Sequence, residues 1–170
     1  MAAVRLALVA INSRLLPRQS RHFPPFRRGT SHAIGAGMAA AKKYEDLICW
    51  QVAANLRDRI LKLTEDGPAA RAKDFRDDIR RSARSAPSNL SEGFGAFYPR
   101  EFARFPRIAR RSLTETRNHL QDAREQKYFP ENEIRELIHL TFRAQKATTG
   151  LIKYLDSCKG KPPTGWDFQQ

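Results

Sequence analysis

With 170 residues, 41% of them hydrophobic, the chain carries material for one domain with a modest core and gives no sign of a second. Its 31 lysines and arginines against 18 acids leave a formal net charge of +13, a field that draws polyanions whatever their base sequence. Cys49 and Cys158 stand far apart and form no C-x-x-C, which argues against a disulfide scaffold or a zinc site and suits a reducing cytoplasm; the apolar run at residues 6–11 falls far short of the roughly 20 residues that a bilayer demands.

Residues 1–37 differ from all that follows: they hold arginine but no lysine and no acid, with Pro17, Pro24 and Pro25 and a glycine-containing end at Gly29, Gly35 and Gly37. Three explanations stay open. An Arg-rich, acid-poor stretch is what a transit-type leader shows, whereas a secretory signal fits less well because its apolar centre stops at Asn12. The preferred reading is an upstream extension created by too early a start codon, with Met38, ahead of Ala39-Ala40-Ala41-Lys42-Lys43, as the true first residue. The third is a disordered basic arm that helps to hold nucleic acid. On any of these, residues 1–37 stand outside the fold. The charge does not vanish with them, because from Lys42 onward 25 bases face 18 acids, a net +7.

The first helix is expected over residues 46–64, with Asp46 as N-cap. Cys49, Ala53, Leu56, Ile60 and Leu63 make one stripe, widened by Leu47, Trp50, Ala54 and Leu61. Glu65-Asp66-Gly67-Pro68 ends it and makes a turn. A second helix is expected from about Ala69, with apolar positions in register at Phe75, Ile79, Ala83, Ala86, Leu90, Phe94 and Phe97. Pro87 lies inside that run, deletes one backbone donor and presses on the carbonyl of Ala83, so the helix must bend there. Asn89 and Glu92, three residues apart, offer a capping box for a restart, and Gly93 or Gly95 offers a left-handed end.

A third helix begins near Pro99, whose fixed φ suits a first helical position, and runs to about Lys127. Phe102, Phe105, Ala109, Ser112, Thr116 and Ala123 share one side, with Leu113 and Leu120 beside it. Pro106 removes the bond to the Phe102 carbonyl, a loss on the order of 3 kcal/mol if unrelieved, which predicts a kink or a loose first turn. After the short connection Tyr128-Phe129-Pro130-Glu131-Asn132, a fourth helix covers residues 131–157. It carries one apolar stripe from Ile134 through Ile138, Thr141, Gln145, Thr148 and Ile152 to Leu155, and a second from Leu137 through Leu140, Ala144, Ala147 and Leu151 to Tyr154. Two adjacent stripes exceed what a monomeric bundle must bury and point to a subunit interface. Residues 159–170, with Pro162 and Pro163, read as a tail. The chain is therefore expected to be all-α, an antiparallel up-down-up-down four-helix bundle over residues 38–158 with its second helix kinked at Pro87.

The segment Pro87-Ser88-Asn89-Leu90-Ser91-Glu92-Gly93-Phe94-Gly95, followed by Arg100-Glu101-Phe102-Ala103-Arg104-Phe105 and Ile108-Ala109-Arg110-Arg111-Ser112-Leu113-Thr114-Glu115, resembles the signature of the small four-helix bundle family that includes the 23S rRNA intervening-sequence protein. Tyr44-Glu45-Asp46-Leu47 with Trp50-Gln51-Val52-Ala53 resembles that family's opening, and the match runs in order from about Tyr44 to Leu155. The family consists of small bacterial proteins, some encoded inside rRNA insertions. It is similar to the accessory protein of diversity-generating retroelements, a basic pentameric bundle that binds RNA and a reverse transcriptase. The resemblance implies a ring-like homo-oligomer such as a pentamer, partners among structured RNA or DNA and a reverse transcriptase or other protein, and no enzymatic activity. Two positions depart from the family pattern. Pro106 stands where an apolar helical residue is usual, and Arg111 where a small residue, usually glycine, is common, which bears on how closely helices or subunits approach there.

Lys73, Arg76, Arg80 and Arg84 recur at steps of three and four on the second helix, and Arg100, Arg104, Arg107 and Arg111 do the same at the start of the third. Each set is expected to face one way, flanking the Pro87 to Gly95 elbow. The planar guanidinium fork can donate two hydrogen bonds to one phosphate, so two such stripes could track a backbone. The competing reading is a solvated face stitched by local pairs such as Asp77 with Arg81, each worth about 0.2–0.5 kcal/mol. Phe94, Phe97 and Tyr98 could stack on bases or belong to the core. Asn89 and Glu92 either touch a partner or cap the kink, and Glu115 is expected to reach back and satisfy buried polar groups there.

Glu136-Leu137-Ile138-His139 has the E-x-x-H spacing of di-iron bundles, yet the best second candidate, Glu115-Thr116-Arg117-Asn118, has asparagine where histidine is required. No metal and no cofactor are expected. The chain contains neither a Gly-rich phosphate loop nor a G-x-S-x-G elbow, and Cys49 sits in an apolar stripe rather than beside a base. The residues thus point to a non-catalytic, cytoplasmic, basic helical protein that binds structured RNA or DNA mainly through phosphates. The alternative is an adaptor or structural oligomer that recognises an acidic protein.

Overall fold

Every regular element among the described residues is a helix. The structure is a computed structural model and describes residues 41–96 and 98–158. A short 3-10 turn, Tyr44–Asp46, leads into α1 (Ile48–Leu63), followed by α2 (Gly67–Arg71), α3 (Lys73–Phe94), α4 (Pro99–Phe102), α5 (Arg104–Glu125) and α6 (Glu131–Ser157). The four long helices close on one another: α1 packs on α3, α3 on α5, α5 on α6, and α6 back on α1. Leu56, Ile60, Ile79, Leu90, Leu113, Leu120, Leu137 and Leu151 lie fully buried between them. No described helix is long and apolar enough to cross a membrane.

Asp46 closes the 3-10 turn instead of capping α1: its carboxylate accepts the backbone N–H groups of Lys42 at 3.0 Å and Lys43 at 3.2 Å. Helix α1 starts two residues later, after Leu47, which brings Leu47 itself into the core. The second helix is also divided. Gly67, at φ 71°, turns the chain into Pro68 and the single turn of α2, and Ala72, at ψ 79°, leaves helical geometry before α3 begins. This detour folds the fully buried Ala69 against the neighbouring helices.

Pro87 is accommodated without ending α3, which runs through it to Phe94. No capping box forms, because Asn89 and Glu92 lie in the helix interior, where backbone N–H groups already have partners one turn back. Asn89 Nδ2 donates to the Ser85 carbonyl at 2.8 Å, and Glu92 is exposed. The helix stops at Gly95 with φ −75°, so the expected left-handed end is absent. Gly93 is needed for a different reason: a Cβ there would stand 2.6 Å from both Phe102 Cδ2 and Phe105 Cβ.

The loose start expected of the third helix takes the form of a break at Ala103, between α4 and α5. Restarting at Arg104 places Pro106 at the third helical position, where a backbone N–H would have no intrahelical acceptor to lose. Helix α6 has the expected bounds, but both of its apolar stripes are largely covered within the chain, because it packs on α5 and α1 at once. Its one strongly exposed large hydrophobic is Phe142, at 52%.

Candidate nucleic-acid interface

Small polar side chains line the seam between α3 and α5. Thr116 Oγ1 donates to Ser82 Oγ at 3.1 Å, the hydroxyls of Ser85 and Ser112 stand 2.8 Å apart, and Asn89 Nδ2 reaches Ser85 Oγ at 3.1 Å. The elbow motif is thus tied inward through Asn89, and polar groups close to the core satisfy one another. Glu115 takes no part. Ser112 and Thr116 already supply the seam, and Glu115 is exposed on the flank of α5 with its carboxylate 3.9 Å from His119 Nε2.

The bases of α3 do not form one face. Arg80 turns inward and donates to Thr64 Oγ1 at 2.7 Å, to the Thr64 carbonyl at 2.8 Å and to the Leu61 carbonyl at 3.3 Å, closing the carbonyl end of α1. Arg76 donates to the Ala70 carbonyl at 3.2 Å and to Asp77 at 2.9 Å, and its guanidinium holds the Asp77 carboxyl below the usual carboxylate range. Arg81 pairs with Asp78 at 2.9 Å, so the local pair to Asp77 anticipated for it does not form. Lys73 and Arg84 are exposed and make no hydrogen bond or ion pair with any described residue.

The other set divides in the same way. Arg107 grips Asp156 of α6 with one Nη at 2.8 and 2.9 Å, while its other Nη donates to the Ala103 carbonyl at 2.8 Å. Arg100 on α4 and Arg104 and Arg111 on α5 are exposed without such partners, and Arg110 joins them. The structure therefore leaves Lys73, Arg84, Arg100, Arg104 and Arg111 available to an outside acceptor and commits Arg76, Arg80 and Arg107 to the fold.

Phe94 is half-buried and packs edge-on against Phe102, with ring centroids 6.2 Å apart, which makes it part of the packing beside Gly93. Tyr98 is 56% exposed. Phe97 lies outside the described residues.

The sequence reading named no binding residue on α6, yet Arg135, His139 and Arg143 are all exposed there. Their steps of four along one helix are the signal the sequence carries, interleaved with the two apolar stripes. Glu136 of the E-x-x-H pair points to Arg59 at 2.8 Å, and among the described residues no three His, Cys, Asp or Glu groups assemble. Burial pushes the Cys49 thiol up to about 12, which removes its thiolate at neutral pH.

The family model described as 23S rRNA-intervening sequence protein matches residues 45–150, more than half of the chain. The chain belongs to that family. The matched segment begins in the 3-10 turn, contains the whole α3–α5 seam and ends within α6, so Lys73, Arg84, Arg100, Arg104 and Arg111 of this 23S rRNA-intervening sequence family member all lie inside it. None of the curated proteins compared with the chain matches it.

Proposed function

We propose that this family member binds structured RNA through phosphate contacts, using the exposed bases along α3, α4 and α5. The observation that carries the reading is that Lys73, Arg84, Arg100, Arg104 and Arg111 have no acceptor within the described residues. A net +13 chain that spent all its arginines on internal pairs would have no such use. The family's name supports RNA as the polyanion, and phosphate contacts of this kind fix position without reading bases.

In this reading the four long helices alternate in direction as an up-down-up-down bundle, the subunits assemble into a ring-like homo-oligomer such as a pentamer, and the protein works in the cytoplasm without catalysing a reaction. The test is light scattering coupled to size exclusion, with and without a structured RNA, at low and moderate salt. A discrete oligomer that takes up RNA and releases it as salt rises is the expected result. Arg104→Glu with Arg111→Glu should abolish uptake while the helical signal and the melting temperature stay unchanged. An oligomer indifferent to RNA would instead favour an acidic protein as the partner of the same bases.

A further inference from the structure

We propose that the outer face of α6 is a second nucleic-acid site, one that takes an unpaired strand by stacking a base on Phe142 and holding the adjoining phosphates with Arg135 and Arg143. This rests on the RNA-binding reading above and adds to it the kind of RNA held and the residues that hold it.

Phe142 is the starting point. A phenyl ring 52% exposed in the middle of a 27-residue helix leaves about half of its apolar surface in water. Arg117 of α5 lies over it, with the guanidinium carbon 5.1 Å from the ring centroid, so one cation already lies against the ring. Around it the helix places Arg135, His139 and Arg143. At about 100° per residue these three and Phe142 fall within roughly one 100° arc, and at 1.5 Å per residue Arg135 and Arg143 stand about 12 Å apart along the axis. All three polar members are exposed and make no hydrogen bond or ion pair with a described residue.

The acidic residues nearby are partly offset. Glu133 and Glu136 both bind Arg59 of α1, whose single charge balances one of the two, and Arg135 and Arg143 outnumber the charge that remains. Arg135, His139 and Arg143 line one open groove with Arg59 and Glu136 where α6 crosses α1, and Phe142 stands next to Arg143 outside that lining, on the side of Arg117. An aromatic platform flanked by uncommitted cations is what holds a single strand, since any base has a face to stack and the backbone follows the charge. A duplex hides its base faces and would gain nothing from Phe142. Stripes of phosphate-binding bases on α3 to α5 and a stacking site on α6 would let one subunit hold a folded RNA by its helix and by an unpaired loop.

The experiment uses the full chain and two fluorescein-labelled probes, a 12-nucleotide oligouridine and a blunt RNA hairpin, followed by anisotropy, with light scattering on every variant. Phe142→Ala should weaken oligouridine binding by about 5- to 150-fold, the equivalent of 1–3 kcal/mol for one stacked base, and leave the hairpin within twofold. Phe142→Tyr should restore it. Arg135→Gln with Arg143→Gln should lower the salt slope for oligouridine by about 1.4, two phosphates at roughly 0.7 each. Equal binding of oligouridine by wild type and Phe142→Ala overturns the proposal, as does an equal loss on both probes. A Phe142→Ala variant that changes oligomeric state would assign the ring to a subunit contact and also overturn it. Hairpin binding without any effect of Phe142 would leave the phosphate reading standing and sink this one alone, whereas wild-type protein that binds neither probe would sink both.

Discussion

Arg80 Nε donates to Thr64 Oγ1 at 2.7 Å, so that a side chain from α3 closes the carbonyl end of α1. The Thr64 and Leu61 carbonyls share the same guanidinium, and Thr64 itself is 1% exposed. Last-turn carbonyls have no intrahelical donor, and a cation beside them also complements the helix dipole. Arg80→Ala should therefore cost about 1.5–3 kcal/mol in chemical denaturation, the range for hydrogen bonds to a charged group. RNA affinity should stay within twofold of wild type when measured well below the unfolding transition. A large loss of RNA binding in a stably folded Arg80→Ala protein would return this residue to the interface.

Gly93 and Gly95 stand two residues apart and should answer alanine in opposite ways. At Gly93 a Cβ would collide with the buried ring of Phe102 on α4 and with Cβ of Phe105 on α5, both at 2.6 Å, so relief requires one of those helices to shift. Overpacking of this kind costs roughly 1–3 kcal/mol. At Gly95 the backbone is right-handed at φ −75°, and the nearest atom to a new Cβ is 3.5 Å away, an ordinary contact. Gly95→Ala should be neutral or stabilise by up to about 1 kcal/mol through the unfolded chain. Thermal melts of the two single variants decide it.

These cases show where the sequence was legible. The 3.6-residue periodicity located all four long helices, and α6 to its terminal residues, because burial of a stripe is a property of many positions at once. The assignment of individual arginines was not legible. Arg80 and Arg84 differ by four positions and carry the same charge, yet one meets the end of α1 and the other meets solvent. That outcome depends on where a neighbouring helix ends, which no local spacing encodes. The same holds for Glu115: its polar target near Asn89 was already satisfied by Ser85 and Ser112, two hydroxyls that sequence alone gives no reason to pair.

Lys127 adopts φ 56° at the end of α5, where Tyr128 N–H returns to the Ala123 carbonyl at 2.9 Å and Lys127 N–H to the Arg124 carbonyl at 3.2 Å. This pair of bonds is the Schellman arrangement that usually carries glycine at the left-handed position. A side chain there costs roughly 1–2 kcal/mol, offset in part by the greater freedom of glycine in the unfolded chain. Lys127→Gly should raise stability by about 0.5–1 kcal/mol, and Lys127→Val should lower it. Denaturant midpoints with unchanged m-values would register both shifts.

Cys49 makes stability depend on alkaline pH. Its thiol is fully buried against α1's packing partners, and burial lifts it from 9.0 to about 12. Below pH 9 the thiol is protonated in both folded and unfolded chains, so its contribution is fully present. Between pH 9 and 12 the unfolded chain loses the proton while the folded chain keeps it, which favours unfolding by up to about 1.4 kcal/mol per pH unit. Cys49→Ala should begin less stable at pH 8, by about 1–2 kcal/mol for the vacated volume, yet lose less stability than wild type on going to pH 11. Tyr154, also raised by its surroundings, is common to both proteins and cancels in the comparison. Parallel losses in the two proteins would show that the Cys49 thiol is not shielded in the folded state; a shielded thiol should likewise resist a disulfide reagent that modifies the half-exposed Cys158.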